Sequence, residues 1–241
     1  MLKFLFGVTS IGGNAFLLCG SLKSITIPNG VTTIGEYAFR GCGRLESLML
    51  PESMTSIAWH AFEDCRSLKS IIIPNGVTTI GASTFRGCKS LIKLVIPDGV
   101  TDIGSSAFEG CVAINDLTIP ASATNISATA FNGCTGVKSL TAAFVPEGIS
   151  KDQLTSITIP SNTTSIGKAA FSGCTVLTNL TISVGVESIG DEAFSMCSGL
   201  TEVTIPDSVT NIGKETEGWY SPYSLSLGLF CLRLGLQCYN A

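Results

Sequence analysis

A period of 23 residues dominates this chain. Residues 68–90, LKSIIIPNGVTTIGASTFRGCKS, match residues 22–44 at 17 of 23 positions, differing at the fifth position, at EYA against AST and at GR against KS. Looser copies occupy 45–67, 91–113, 114–136, 154–176 and 177–199, and an incomplete one runs from Leu200 to Gly213. Self-similarity at a fixed spacing of this length is the mark of a solenoid, in which each unit is one coil. A chain built this way grows by adding coils, so its 241 residues say little about domain number.

The chemistry of one unit indicates how it folds. In residues 22–44, Leu22, Ile25 and Ile27 form an L-x-x-I-x-I stretch whose second half alternates like a half-buried strand. Pro28 cannot donate to a strand ladder and ends it, and Pro-Asn-Gly is a turn signal. Val31 and Ile34 point inward from a second short extended segment. Gly35 recurs as Gly81, Gly104, Gly167 and Gly190; Ala58 and Ser127 fill the same position, which favours close packing over a left-handed backbone as its reason. The EYAFRGC segment that follows places Ala38 and Phe39 inward and is expected to form a single helical turn.

No coil can bury its apolar edge alone, so neighbours must supply the partner. The expected columns are Leu22, Leu45, Leu68 and Leu91 on one wall and Phe39, Phe62, Phe85, Phe108 and Phe131 on another, the second extended by Phe16, Phe171 and Phe194. The residue after each phenylalanine alternates in charge, Arg40, Glu63, Arg86, Glu109, and predicts a surface ladder of opposite charges. Eight of the ten cysteines, Cys19, Cys42, Cys65, Cys88, Cys111, Cys134, Cys174 and Cys197, share one repeat position. Stacking brings them within about 5 Å of one another, where either buried thiols or disulfides are possible; thiols acting as small apolar side chains are the simpler reading.

Two regions depart from the pattern. Residues 137–153 open like a repeat but lose its later signature, as a shortened coil or an outward loop. Residues 214–241 abandon the repeat and are expected to be a non-repeat tail or C-terminal cap; their apolar run from Leu225 to Leu236 is too short to span a bilayer. The opening residues 1–21 have the lysine and apolar run of an export signal. However, Ile11-Gly12, Ala15-Phe16 and Cys19 keep the repeat phase, and Leu18 is bulky where a processing site takes a small residue. They are read as a truncated first repeat that begins mid-coil, without an evident export signal or cap.

Together these features resemble the BspA-like, or Treponema pallidum-type, leucine-rich repeats, whose unit L-x-x-I-x-I-P-x-x-V-x-x-I-G-x-x-A-F-x-x-C is matched throughout by residues 22–42. The resemblance spans residues 7–213 apart from 137–153. It implies a curved repeat solenoid of 23-residue units with a parallel β-sheet on the concave face and short strands and single helical turns on the other sides. It further implies a surface or secreted protein that adheres to a protein ligand, such as a host or cell-surface protein. An intracellular scaffold, or a fragment of a larger repeat protein, is the alternative.

The outward strand positions are where such a solenoid presents a binding surface. They read Ser24/Thr26, Ser47/Met49, Ser70/Ile72, Lys93/Val95, Asp116/Thr118, Ser156/Thr158, Asn179/Thr181 and Glu202/Thr204. Met49, Ile72 and Val95 make an apolar strip across three coils. With Ser47, Ser70, Lys93 and Asp116 they are the candidate partner-binding residues, flanked by Lys69 and Lys93 on one side and Asp116 on the other. Trp59-His60 replaces Glu36-Tyr37 in the adjacent coil, as local packing or as a contact anchor.

Several function classes are disfavoured. Charged residues are 13% of the chain and the net charge is −4, without the basic patch that nucleic acid requires. A single histidine, no C-x-x-C pair and no Cys/His cluster argue against a metal site. There is no glycine-rich phosphate loop and no G-x-S-x-G. The expectation is a non-catalytic binding protein without a cofactor or a transmembrane segment.

Overall fold

The computed structural model describes residues 2–3 and 7–214. It is a parallel-strand β-solenoid whose chain divides into two units, Met1–Val137 with Pro146–Ser150 and Lys138–Val145 with Lys151–Ala241. The expected tail or cap at 214–241 lies outside the described residues, save Lys214.

Each coil has three walls. The first carries a strand of three residues: Ser24–Thr26, Ser47–Met49, Lys93–Val95 and Asp116–Thr118 in the first unit, and Ser139–Thr141, Ser156–Thr158 and Asn179–Thr181 in the second. Their central side chains point inward, because side chains alternate faces along a strand and only the middle position is apolar throughout. In the coil of residues 68–90 the strand shrinks to single bridges from Ser70 to Ser47 and to Lys93, with the register kept. Leu2–Lys3 pairs with Ile25 and Thr26. Leu2–Lys3 thus lies on the first wall, one repeat before Ile25 and Thr26.

The second wall carries strands of two residues: six in the first unit, from Ser10–Ile11 to Asn125–Ile126, and three in the second, Ser165–Ile166, Ser188–Ile189 and Asn211–Ile212. Partners such as Thr33 and Ser56 stand one repeat apart. Residues 137–153 form a shortened coil, since Ser139, Leu140 and Thr141 pair with Ser156, Ile157 and Thr158. That coil also holds the one 3-10 helix among the described residues, Lys151–Gln153.

The third wall is not the helical turn expected from EYAFRGC. The amides of Ala38, Arg40 and Cys42 bond three residues back, to Gly35, Tyr37 and Phe39, whereas those of Tyr37, Phe39 and Gly41 reach carbonyls of the next coil at Trp59, Ala61 and Glu63. Left-handed residues at Tyr37 (φ 57°) and Gly41 (φ 71°) interrupt the helical path. A helix would keep its amides within the coil; here alternate amides tie one coil to the next.

The core follows the columns. Leu45, Leu68 and Leu91 are fully buried, as are Val31, Val77 and Val100. Phe39, Phe62, Phe85, Phe108 and Phe131 stack with ring centroids 5.3–5.4 Å apart and planes within 4–7° of parallel. Phe16 begins this stack on Phe39, and Phe171 and Phe194 form a pair in the second unit. Close backbone contact explains the glycine at Gly35, Gly104 and Gly190, whereas Gly167 has nothing within 4 Å. A Cβ on Gly104 would lie 2.8 Å from the amide nitrogen of Ala82 and 2.9 Å from the carbonyl carbon of Gly81, inside any ordinary contact distance. Nothing in the structure explains why Ala58 and Ser127 are tolerated at the same position.

Candidate functional site

The first-wall strands of the first unit bring the predicted binding residues together. Ser47 lies beside Ser70, Ser70 beside Lys93 and Lys93 beside Asp116, so these four form one row across the sheet. Two positions on, Met49 pairs with Thr26 and Val95 with Thr118, with Ile72 in the coil between them. Met49 and Ile72 are 76% and 72% exposed, and Val95 is 46% exposed. They stand out because the inward positions Leu48, Ile71 and Leu94 already fill the core, leaving alternate side chains no apolar partner.

The electrostatics differ from the flanking pattern expected. Lys93 Nζ is 3.1 Å from Asp116 Oδ2, and Lys69 Nζ is 3.3 Å from Glu46 Oε2. The parallel register places the partners one repeat apart side by side, so each lysine is paired with an acidic residue of the adjacent coil. The patch is an apolar strip with locally balanced charge. Sequence reasoning overlooked Glu46 and also Ile92, which is 50% exposed just before Lys93; the repeat spacing that aligned the other columns would have found both.

The alternating charges after the phenylalanines come together as the expected ladder, at the surface except for Glu63. Glu63 is buried. Arg40 Nε is 2.7 Å from its Oε2, Arg86 contributes an N–H 3.0 Å from its Oε1, and Arg86 continues to Glu109 at 3.4 Å. His60 Nδ1 lies 3.0 Å from Glu63 Oε2, and its ring stacks on Tyr37 at 4.8 Å. Burial pushes the Glu63 carboxyl up, but hydrogen bonds from Arg40, Arg86 and His60 outweigh it and hold the group below the usual carboxylate range. A buried carboxylate needs such partners, and adjacent coils supply them. Of the Trp59-His60 pair, His60 is thus absorbed into packing, while Trp59 remains 60% exposed.

Among the described residues the cysteines stand as free thiols, buried except for Cys19. Cys42, Cys65, Cys88, Cys111 and Cys134 each donate to the carbonyl of a phenylalanine in the preceding coil, at 3.2–3.3 Å, and Cys197 does so to Phe171. Burial raises the first five of these thiols, Cys42 to about 11 and Cys134 to about 12, while Cys197 is raised chiefly by its hydrogen bond with Cys174 and then by burial. Among the described residues no group of His, Cys, Asp and Glu has the arrangement of a metal site, and no helix is long and apolar enough to cross a membrane.

A family model for the BspA type leucine rich repeat region matches residues 9–138 and 149–217 in six copies. A leucine-rich repeat protein from Bacteroides ovatus, solved by crystallography, is 25% identical with a TM-score of 0.53, over 86% of this chain and 78% of that one. The T. pallidum leucine rich repeat protein is 27% identical, with a TM-score of 0.46 over 87% of this chain and 78% of that one. A leucine rich cell surface protein from Faecalibacterium prausnitzii is 22% identical, with a TM-score of 0.46 over 91% and 86% of the two chains. No curated protein matches. With the coil geometry, the repeated phenylalanine and cysteine columns and a family match over most of its length, this chain belongs to the BspA-type leucine-rich repeat family.

Proposed function

We propose that this protein is a non-catalytic protein-binding module of the adhesive kind, acting at a cell surface or after secretion. Its ligand surface is the outward face of the first-wall strands, centred on Met49, Ile72 and Val95 and bordered by Ser47, Ser70, Lys93 and Asp116. The observation that carries the reading is the strip itself: three apolar side chains exposed in consecutive coils, on a hydrogen-bonded ladder that holds them in place. Burying a large apolar side chain contributes roughly 1.5–3 kcal/mol, so these three supply part of the free energy that association must set against its entropy cost. Local pairing of Lys69 and Lys93 leaves no net charge to steer an acidic or basic ligand, and favours a partner with a small apolar patch of its own. The sole histidine is committed to the Tyr37 stack and the Glu63 cluster, which supports a non-catalytic role.

Purified wild type, Met49→Asp and Val95→Asp are compared for binding to a panel of purified host extracellular proteins by surface plasmon resonance. At least one protein is expected to bind wild type and to lose about tenfold or more in affinity with either variant. Equal binding by all three, or no binding by wild type, dismisses the strip as the ligand surface.

A further inference from the structure

The second wall of the first unit carries a groove of about 460 Å³, lined by Glu36, Ser56, Trp59, Thr78, Thr79 and Gly81 among others. That volume lies within the range of about 300–1,000 Å³ usual for small-molecule sites. Trp59 is exposed at a position where the adjacent coils have Glu36 and Ala82. Its indole rests over Gly81, where a Cβ would collide with the indole Cδ1. The ring is therefore seated by the missing side chain of the next coil.

The polar groups around it are unspent. Some other side chains on this wall pair with each other: Thr101 and Asn125 both bond to Asp102, and Ser188 bonds to Ser165. In the groove, the hydroxyls of Ser56, Thr78 and Thr79 and the carboxylate of Glu36 make no side-chain hydrogen bond or ion pair among the described residues. The groove thus combines an exposed aromatic plate, three groups that can both donate and accept, and one acceptor that carries negative charge.

We propose that this groove binds a neutral pyranose oligosaccharide. A pyranose has an apolar C–H face that stacks on an indole and a rim of hydroxyls that need donors and acceptors at once. Trp59 serves the first; Ser56, Thr78, Thr79 and Glu36 serve the second. The Glu36 carboxylate disfavours uronic and sialic acids. An organic cation would use only the indole and Glu36 and leave the three hydroxyls idle. The site lies on a different wall from the Met49 strip and is independent of it.

The test uses the full chain with Trp219→Phe, so that Trp59 is the sole tryptophan and reports through its fluorescence. Tetramers of β-linked glucose and of β-linked N-acetylglucosamine are titrated, with sialyllactose and a galacturonic acid tetramer as anionic controls. One or both neutral tetramers should shift the emission saturably, and calorimetry should give the same affinity. Trp59→Ala, read by calorimetry, should weaken binding about tenfold. Gly81→Ala, which keeps the indole but evicts it from its seat, should weaken it too. Thr79→Val, which keeps a β-branched side chain and the strand, should lose about fivefold, and Met49→Asp should change nothing. The proposal is overturned if no neutral tetramer binds, if Trp59→Ala binds as well as its parent, or if the anionic sugars bind equally.

Discussion

The thiol of Cys88 donates to the carbonyl oxygen of Phe62, 3.3 Å away in the preceding coil, and the same oxygen accepts the amide of Cys65 at 3.2 Å. A carbonyl has two lone pairs, and in a buried column both need a donor. Cysteine meets that need while remaining small and apolar enough to sit in the core. Cys88→Val keeps apolar bulk without the donor and is expected to cost about 1 kcal/mol in urea denaturation. On raising pH above the ordinary thiol range, the unfolded chain ionises its cysteines while Cys42, Cys65, Cys88, Cys111, Cys134 and Cys197 resist, each held up chiefly by burial except Cys197, where the Cys174 hydrogen bond leads. Their contribution to stability is complete below that range and lost above it. Peptide mapping after iodoacetamide at pH 8 should find Cys19 modified and Cys88 and Cys111 protected until the chain unfolds.

Glu63 gives the opposite dependence. Its folded carboxyl lies below the usual range, despite burial, because Arg40, Arg86 and His60 favour the charged form. Its stabilising effect is therefore present above the unfolded carboxylate value and lost as pH falls through the folded one. Glu63→Gln should cost about 2 kcal/mol at neutral pH, and the penalty should shrink as the medium is acidified below the carboxylate range. A penalty that stays constant across the titration would contradict the charged cluster.

Thr163 points to a stabilising change. Its hydroxyl is buried without a hydrogen-bond partner, in a column otherwise held by residues such as Val31, Val77, Val100 and Val186. Thr163→Val has nearly the same shape and removes the stranded group. It should raise stability by about 1–2 kcal/mol, seen as a higher denaturation midpoint with an unchanged slope.

Phe85 lies fully buried between Phe62 and Phe108, 5.4 Å from each ring. Phe85→Ala should cost about 3–5 kcal/mol, since neither neighbour can close the gap without leaving its own coil. An unchanged midpoint would refute the column as a source of stability.

Periodic features were the readily legible ones. Strand positions, the phenylalanine stack, the glycine contact and the Arg40–Glu63 relationship all follow from aligning residues one repeat apart. Features set by backbone geometry within a coil were harder. Tyr37 and Gly41 adopt left-handed conformations, and only Gly41 carries a residue type that hints at one, so the third wall looked helical. The burial of Glu63 was missed because a charged side chain is ordinarily placed at the surface; three partners in its own and both flanking coils allow it inside. At the binding face, the exposed strip was visible in the alternation, and the pairing of Lys69 with Glu46, one repeat apart, was legible in the same alignment though overlooked.

The Arg40–Glu63–Arg86–Glu109 series also has a parity. Removing one coil, residues 45–67, would bring Arg40 beside Arg86, two like charges around a site that has lost its carboxylate. Removing two coils, residues 45–90, would bring Arg40 beside Glu109 and keep the alternation. The two near-identical segments 22–44 and 68–90 stand two coils apart. In this region an array that lengthens or shortens by pairs keeps its charges matched, and one that changes by single coils does not.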